Sequence, residues 1–181
     1  MCETPGTAGE DGVCATSLES LVDFSVLKLG KNVQVLSTQL ALVGSHASLP
    51  SKVYWQSVLP NTPMPKAVQD SLSSDETKKQ EYRITGVHRI NANKGVVCHK
   101  QNYAYAVFYC HEIHDAGTYM VPLVSSDGTK VNAIAACHTD ASVANAFKVL
   151  KVKPGTVPIC HFLASDTLLW APNYSMYEKR L

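Results

Sequence analysis

Four of the six cysteines in this 181-residue chain are each followed directly by a histidine: Cys98-His99, Cys110-His111, Cys137-His138 and Cys160-His161. With only seven histidines in the chain, four such adjacencies are hard to attribute to chance. They constrain the fold. On an extended strand successive side chains point to opposite faces, so each dipeptide sends its sulfur one way and its imidazole the other. One face of such a sheet can then be stapled while the other binds metal. After His161 come eight residues and then Trp170, which closes the run.

The composition around these pairs is that of a sheet. Val96-Val97, Tyr105 to Tyr109, Tyr119 to Val124, Val131 to Ala136 and Phe147 to Val152 are rich in branched and aromatic residues and predict strands. Asp127-Gly128, between Val124 and Val131, is the strongest hairpin turn, and Lys153-Pro154-Gly155 marks another reversal. The strands are therefore expected to pair antiparallel. Tyr103, Tyr105 and Tyr109 are spaced for one face of a strand, and packing is their default role, as it is for Trp55 and Trp170.

The N-terminal part reads differently. Cys2 and Cys14 bracket a loop rich in Gly, Pro and acid that gains most from covalent closure, so a Cys2–Cys14 bridge is expected. Thr16-Ser17-Leu18-Glu19 has the form of a capping box, with the Thr16 hydroxyl as cap and Glu19 reaching back. Leu18, Leu21, Val22, Val26 and Leu29 then recur at helical spacing before Lys28 and Gly30, which predicts an amphipathic helix over 17–29. Alternation over 31–38 predicts a strand, and 40–47 resembles the tail of a signal peptide. The stretch 54–65 carries three prolines that deny it a central strand position, and 71–80 is polar, without an apolar period. Residues 40–80 are thus expected to form an extended segment and a linker.

Bulk properties exclude some functions. Sixteen basic and fifteen acidic residues give a formal charge of +1 with no Lys/Arg block, so nucleic acid is not an expected partner. No apolar run is long enough to span a bilayer, and no membrane association is expected. Six cysteines, an even number with no C-x-x-C pair, suit disulfides in an oxidising compartment. Against that, Met1-Cys2-Glu3-Thr4-Pro5 carries no export signal of its own. The length suits one domain, 1–181.

Disulfides would remove the sulfurs as thiolate ligands and leave an imidazole-rich site of the kind Cu(II) favours, among other metals. Imidazoles ligate when deprotonated, so binding should weaken as pH falls through the histidine range. The four histidines have an equally simple alternative role, bracing a disulfide-rich fold that needs no metal.

Four Cys-His pairs followed by a tryptophan at this spacing resemble the plant BURP-domain proteins. Ten residues separate His99 from Cys110 and twenty-five separate His111 from Cys137, as in that family. The words around them are similar too: 97–103, 106–111 and 152–158, with 14–20 similar to the family's domain start. Two features depart from the pattern. Only twenty-one residues separate His138 from Cys160, and the leader-like segment at 40–70 follows the first cysteines instead of preceding them.

The resemblance implies a protein of the plant secretory pathway, destined for the apoplast, cell wall or vacuole. In several members it implies a copper-dependent autocatalytic cyclase that uses dioxygen and radical chemistry to join a Tyr or Trp side chain to another residue of a ribosomally made core peptide. The core is carried in the same chain or supplied separately. By that carry-over His99, His111, His138 and His161 are the catalytic and metal-binding residues, with copper as cofactor. Cys98, Cys110, Cys137 and Cys160 would form the stapling disulfides, in one of three connectivities. The alternative is a secreted seed or cell-wall structural or storage protein. The fold class expected is mostly β (α+β): an antiparallel sheet domain with an N-terminal amphipathic helix, disulfide-stapled.

Overall fold

The computed structural model describes residues 2, 11–38, 53–56, 68–69, 82–91, 94–114, 116–139, 148 and 151–173. In chain order the elements are β1 (Gly12–Ala15), α1 (Leu18–Leu29), β2 (Val33–Leu36), β3 (Val53–Gln56), β4 (Val68–Gln69), β5 (Tyr82–Ile84), β6 (His88–Asn91), β7 (Lys94–Lys100), β8 (Phe108–His114), β9 (Gly117–Ser125), β10 (Lys130–His138), β11 (Ile159–Phe162) and β12 (Thr167–Pro172). The pairs β1–β8, β7–β8, β7–β12, β2–β12, β3–β4, β3–β11, β10–β11, β9–β10 and β5–β9 are antiparallel. The protein is mostly β, with three disulfides, Cys2–Cys14, Cys98–Cys110 and Cys137–Cys160. No helix among the described residues is long and apolar enough to cross a membrane.

The chain divides into two compact units. The first comprises Met1–Ser37, Asn91–Asp115 and Asp166–Leu181. Its sheet has the order β1-β8-β7-β12-β2, and α1 packs on one face. Alternation decides what lies beneath the helix. Val96 and Cys98 of β7, Cys110 of β8, Ala15 of β1 and Trp170 of β12 form a buried cluster with Leu21 of α1, and Phe24, Leu29 and Phe108 pack against it.

Helix α1 starts one residue later than the sequence suggests. Ser17 is the N-cap, with its hydroxyl accepting the Ser20 N–H at 3.1 Å while the Ser20 hydroxyl accepts the Ser17 N–H at 3.2 Å. Ser20 therefore takes the role expected of Glu19, because a serine at N3 reaches the same amide. Gly30, at φ 86°, ends the helix, and its N–H is donated to the Val26 carbonyl at 2.8 Å. The expected apolar face is corrected as well. Of the expected face, Leu21 and Leu29 meet the sheet, but Leu18 is 74% exposed and Val22 is exposed, and Phe24, Ser25 and Lys28 complete the side turned to the sheet. Ser25 can be buried there because its hydroxyl is donated to the Leu21 carbonyl at 2.8 Å.

The second unit comprises Thr38–Ile90 and Ala116–Ser165. Its sheet has the order β4-β3-β11-β10-β9-β5, with β6 also paired to β9. Every second residue of its long hairpin is core: Val121 and Leu123 of β9 with Val131, Ala133, Ala135 and Cys137 of β10, joined by Cys160 and Phe162 of β11. The hairpin turns at Asp127-Gly128. The Gly128 N–H reaches the Ser125 carbonyl at 3.0 Å, and Gly128 adopts φ 86°, which a residue with a Cβ takes only at a cost. Thr38 ties this unit's interior: its hydroxyl is donated to the Leu163 carbonyl at 2.7 Å and accepts the Ile134 N–H at 3.1 Å.

Three further expectations are revised. β8 starts at Phe108, so Tyr103 and Tyr105 lie in the β7–β8 loop with exposed rings, and Tyr109 alone of the three is on the strand. Of the strand expected over 147–152, the described residues show none: Lys148 is helical and Lys151 turns with φ 55°. Of the stretch 54–65, expected as an extended surface segment, Tyr54 to Gln56 belong to strand β3 between β4 and β11, and the three prolines of that stretch follow the strand rather than interrupt it. Most of the expected leader-like segment and linker, 40–52, 57–67 and 70–80, lies outside the described residues.

Candidate metal centre

Each unit carries one disulfide-stapled strand pair of the same design. In the first, the β7–β8 register sets Cys98 opposite Cys110, His99 opposite Tyr109 and Val97 opposite His111. In the second, the β10–β11 register sets Cys137 opposite Cys160, His138 opposite Ile159 and Ala136 opposite His161. Directly opposed residues share a face, so both sulfurs of each pair point into their core cluster and bond there. The Cα atoms of each bridged pair are 3.9 Å apart, at the closer of the two alternating spacings of an antiparallel ladder.

One residue further along each strand, the imidazoles stand on the other face, diagonal to one another. Diagonal neighbours are within reach of long and aromatic side chains, and here the rings meet. His99 Nε2 is 3.4 Å from His111 Nε2, and His138 Nε2 is 3.3 Å from His161 Nε2. The ring centroids are 5.5 and 5.3 Å apart with interplanar angles of 13° and 5°. Centroids so much farther apart than the nitrogens mean that near-parallel rings meet by their Nε2 edges. The structure thus brings the four histidines together as two pairs, one in each unit. All four rings are half-buried.

The opposite ring nitrogen is held in both second partners. His111 Nδ1 lies 3.3 Å from the Glu112 carbonyl, and His161 Nδ1 lies 3.2 Å from the Phe162 carbonyl. A carbonyl only accepts, so each Nδ1 carries the proton and each Nε2 presents a lone pair to its partner. This orientation by a backbone carbonyl is the usual support of a metal-ligating histidine. Burial pushes His161 below the ordinary imidazole value, partly opposed by the hydrogen bond to Phe162, which keeps the ring neutral at lower pH.

The donor sets fit a metal ion in part. Metal–nitrogen bonds of about 2.0–2.1 Å in a tetrahedral shell place two nitrogens about 3.3–3.4 Å apart. Both pairs have that spacing, and each presents two imidazole nitrogens, a ligand type that suits copper among other metals. Among the described residues no group of three or more His, Cys, Asp or Glu side chains converges. The same spacing also serves an N–H···N hydrogen bond, with His99 and His138 as the donors.

Two neighbours of the first pair were not foreseen as a site. The Tyr109 ring stacks beside His111 at 5.8 Å and 23°. On the sulfur face Glu112, buried, faces Lys28 Nζ at 3.4 Å, Lys94 Nζ at 3.5 Å and His114 Nε2 at 3.6 Å. Lys28 also bonds Asp11, and that bond holds the Asp11 carboxyl below the usual range and Lys28 above its own. The alternation counted from Cys110 places Glu112 on this face, but which cations meet it depends on α1 and β7. Behind His99, the Gln101 side chain donates to the His99 carbonyl at 2.9 Å, and the Gln101 N–H closes the loop onto the Val107 carbonyl at 2.8 Å.

Comparison with known proteins places this architecture. The BURP domain family matches residues 1–54 and 47–172. The chain is 43% identical over 176 residues to BURP domain protein RD22 of Arabidopsis thaliana, covering 93% of this chain and 37% of that protein. It is 40% identical over 177 residues to BURP domain-containing protein 6 of Oryza sativa subsp. japonica, covering 95% and 61%. Against the Unknown seed protein USP of Vicia faba it is 30% identical over 178 residues, covering 97% and 53%. The chain therefore spans less than two thirds of each of these relatives. With four Cys-His dipeptides on two stapled strand pairs and a family match over most of its length, the chain belongs to the BURP-domain family.

Proposed function

We propose that this chain is the metal-binding domain of a copper-dependent oxidative peptide cyclase acting in the secretory pathway. One observation carries the reading: in both units a disulfide holds two imidazoles edge to edge at 3.3–3.4 Å, with the far nitrogen of one ring tied to a backbone carbonyl. His99 with His111, and His138 with His161, would hold the ion. Copper, when bound, supplies one-electron oxidation of a Tyr or Trp side chain, with dioxygen as the terminal oxidant.

The chain's own residues do the rest. The disulfides fix the separation of the paired strands, and the Glu112 and Phe162 carbonyls keep Nδ1 protonated so that Nε2 stays basic. Burial keeps His161 neutral and competent to ligate. The substrate is a peptide containing Tyr or Trp, carried in the same polypeptide or supplied separately. Joining its side chain to a second residue removes two hydrogens, and dioxygen takes up the two electrons and two protons. Three disulfides support passage through an oxidising compartment.

A second reading has its own support. The pairs are also complete as N–H···N hydrogen bonds, and one relative is named a seed protein. On that reading the domain is a secreted structural or storage protein. Incubating the full-length precursor with Cu(II) and air, followed by mass spectrometry, separates the two. Loss of two hydrogens from a Tyr- or Trp-containing peptide, abolished by His111→Ala, supports the cyclase. An unchanged mass with no retained copper supports the structural protein.

A further inference from the structure

We propose that Tyr109 is a positioning residue that sets the His111 ring, that Gly12 is a glycine to make room for it, and that the two imidazole pairs are therefore not equivalent. The inference deepens the copper reading above and rests on it for its functional meaning. Its geometry does not need the ion.

The register of the first sheet lays out two neighbouring rows on the imidazole face. One row is Cys14, Tyr109, His99 and Thr167. The next is Gly12, His111, Val97 and Leu169. Tyr109 does not stay in its own row. Its ring leans across to β1, where a Cβ built on Gly12 would lie 2.6 Å from the phenol oxygen and 3.0 Å from Cζ. No side chain fits there unless the ring moves. The glycine thus opens a slot beside His111, and the tyrosine ring fills it, 5.8 Å from the imidazole at 23°.

A histidine ring is free to rotate about its last torsion, whose wells are broad and roughly two-fold. A half-turn puts Cδ2 in the place of Nδ1 and Cε1 in the place of Nε2, and His111 must not make it if Nε2 is to face His99 and Nδ1 the Glu112 carbonyl. The Glu112 carbonyl opposes the flip at one edge and His99 at the other. The Tyr109 ring, lying along the imidazole's side, opposes it across the face. In the second unit the residue preceding the second cysteine is Ile159, opposite His138 and fully buried. An aliphatic side chain stands where the first pair has an aromatic one.

A plainer role is open to Tyr109. Aromatic rings cover glycines on edge strands, and β1 is an edge strand. The second unit repeats the device on its sulfur face, where a Cβ on Gly117 would lie 2.8 Å from the Tyr119 ring. Filling a gap changes stability alone, whereas positioning changes the state of His111.

Nitrogen-detected NMR of the histidine rings in the metal-free full chain tells them apart. We expect Tyr109→Leu to turn the single Nδ1–H tautomer of His111 into a mixture and to move its ring protons out of the tyrosine ring current, with His161 unmoved. Tyr109→Phe should restore the native pattern, and Gly12→Ala should reproduce the Leu effect by displacing the ring from the other side. His111 signals unchanged by Tyr109→Leu, or equal changes at His161, would overturn the proposal.

Titration with Cu(II) alone adds the functional arm. In the His138→Ala/His161→Ala background, Tyr109→Leu should weaken binding about tenfold or more, the usual effect of losing an outer partner, with a shifted EPR spectrum. In the His99→Ala/His111→Ala background it should change nothing, and equal weakening in both would overturn the proposal. Should the native chain bind no copper, the functional reading fails, and the metal-free spectra still decide the role of Tyr109.

Discussion

Removing either sheet disulfide should cost nearly the same stability but disturb only its own imidazole pair. The sequence separations closed are 12 for Cys98–Cys110 and 23 for Cys137–Cys160. In the chain-entropy account each bridge restricts the unfolded chain by about 3 kcal/mol, and near-doubling the loop adds only about 0.5 kcal/mol. The double variants Cys98→Ala/Cys110→Ala and Cys137→Ala/Cys160→Ala should therefore both fall by about 3 kcal/mol in urea titration at unchanged slope. Trp170, buried against the first disulfide's cluster, reports the first unit by fluorescence. Histidine-ring NMR follows the pairs. Loss of the first bridge should broaden His99 and His111 and leave His138 and His161 sharp, and the second variant should do the reverse. A loss below about 1 kcal/mol in either variant, or broadening of the pair that keeps its bridge, would refute the view that each disulfide sets its own diagonal contact.

Other outcomes follow from single contacts. Thr38→Val should cost about 1–3 kcal/mol in thermal unfolding, because it orphans the buried Ile134 N–H and removes a donor from the Leu163 carbonyl. Gly128→Ala should cost about 1 kcal/mol without any clash, since nothing lies near its Cβ position and only the positive φ opposes the change. The Asp11–Lys28 bond should appear in the pH dependence of stability at low salt. The depressed Asp11 carboxyl stabilises the fold above its unfolded value of 3.8, and this contribution is lost as pH falls through the folded value. Lys28, raised above 10.5, contributes fully below that value and loses its contribution as pH rises through the folded one. In Asp11→Asn the acid-limb difference from the native chain should vanish.

Local signals in the chain were legible where the physics is local. The Asp127-Gly128 hairpin needs only a positive φ and two flanking strands, and it stands where the residues place it. The Cys2–Cys14 bridge closes the loop that its two cysteines bracket. Helix α1 lies close to its expected span, yet its cap and buried side differ. Capping turned on whether Ser20 or Glu19 reaches the open amide, and burial turned on which side of the helix the sheet covers. The apolar spacing of Leu18, Val22 and Val26 held no information about that sheet. The Tyr105 to Tyr109 run read as strand because aromatic content speaks for strands, while Gln101 closes it into a loop up to Val107.

What the amino-acid order alone determined is the opposition within each Cys-His dipeptide: neighbours on a strand face opposite ways, so sulfur and imidazole part whatever the partner strand. Which sulfur joins which, which imidazole meets which, and what stands beside them were decided by register. Register is set between strands up to tens of residues apart, by hydrophobic faces that must be buried together. Three connectivities were open to the four cysteines, and the pairings of Cys98 with Cys110 and Cys137 with Cys160 leave one. Tyr109 lies beside His111 because β1, a distant segment, brings a glycine to the next row.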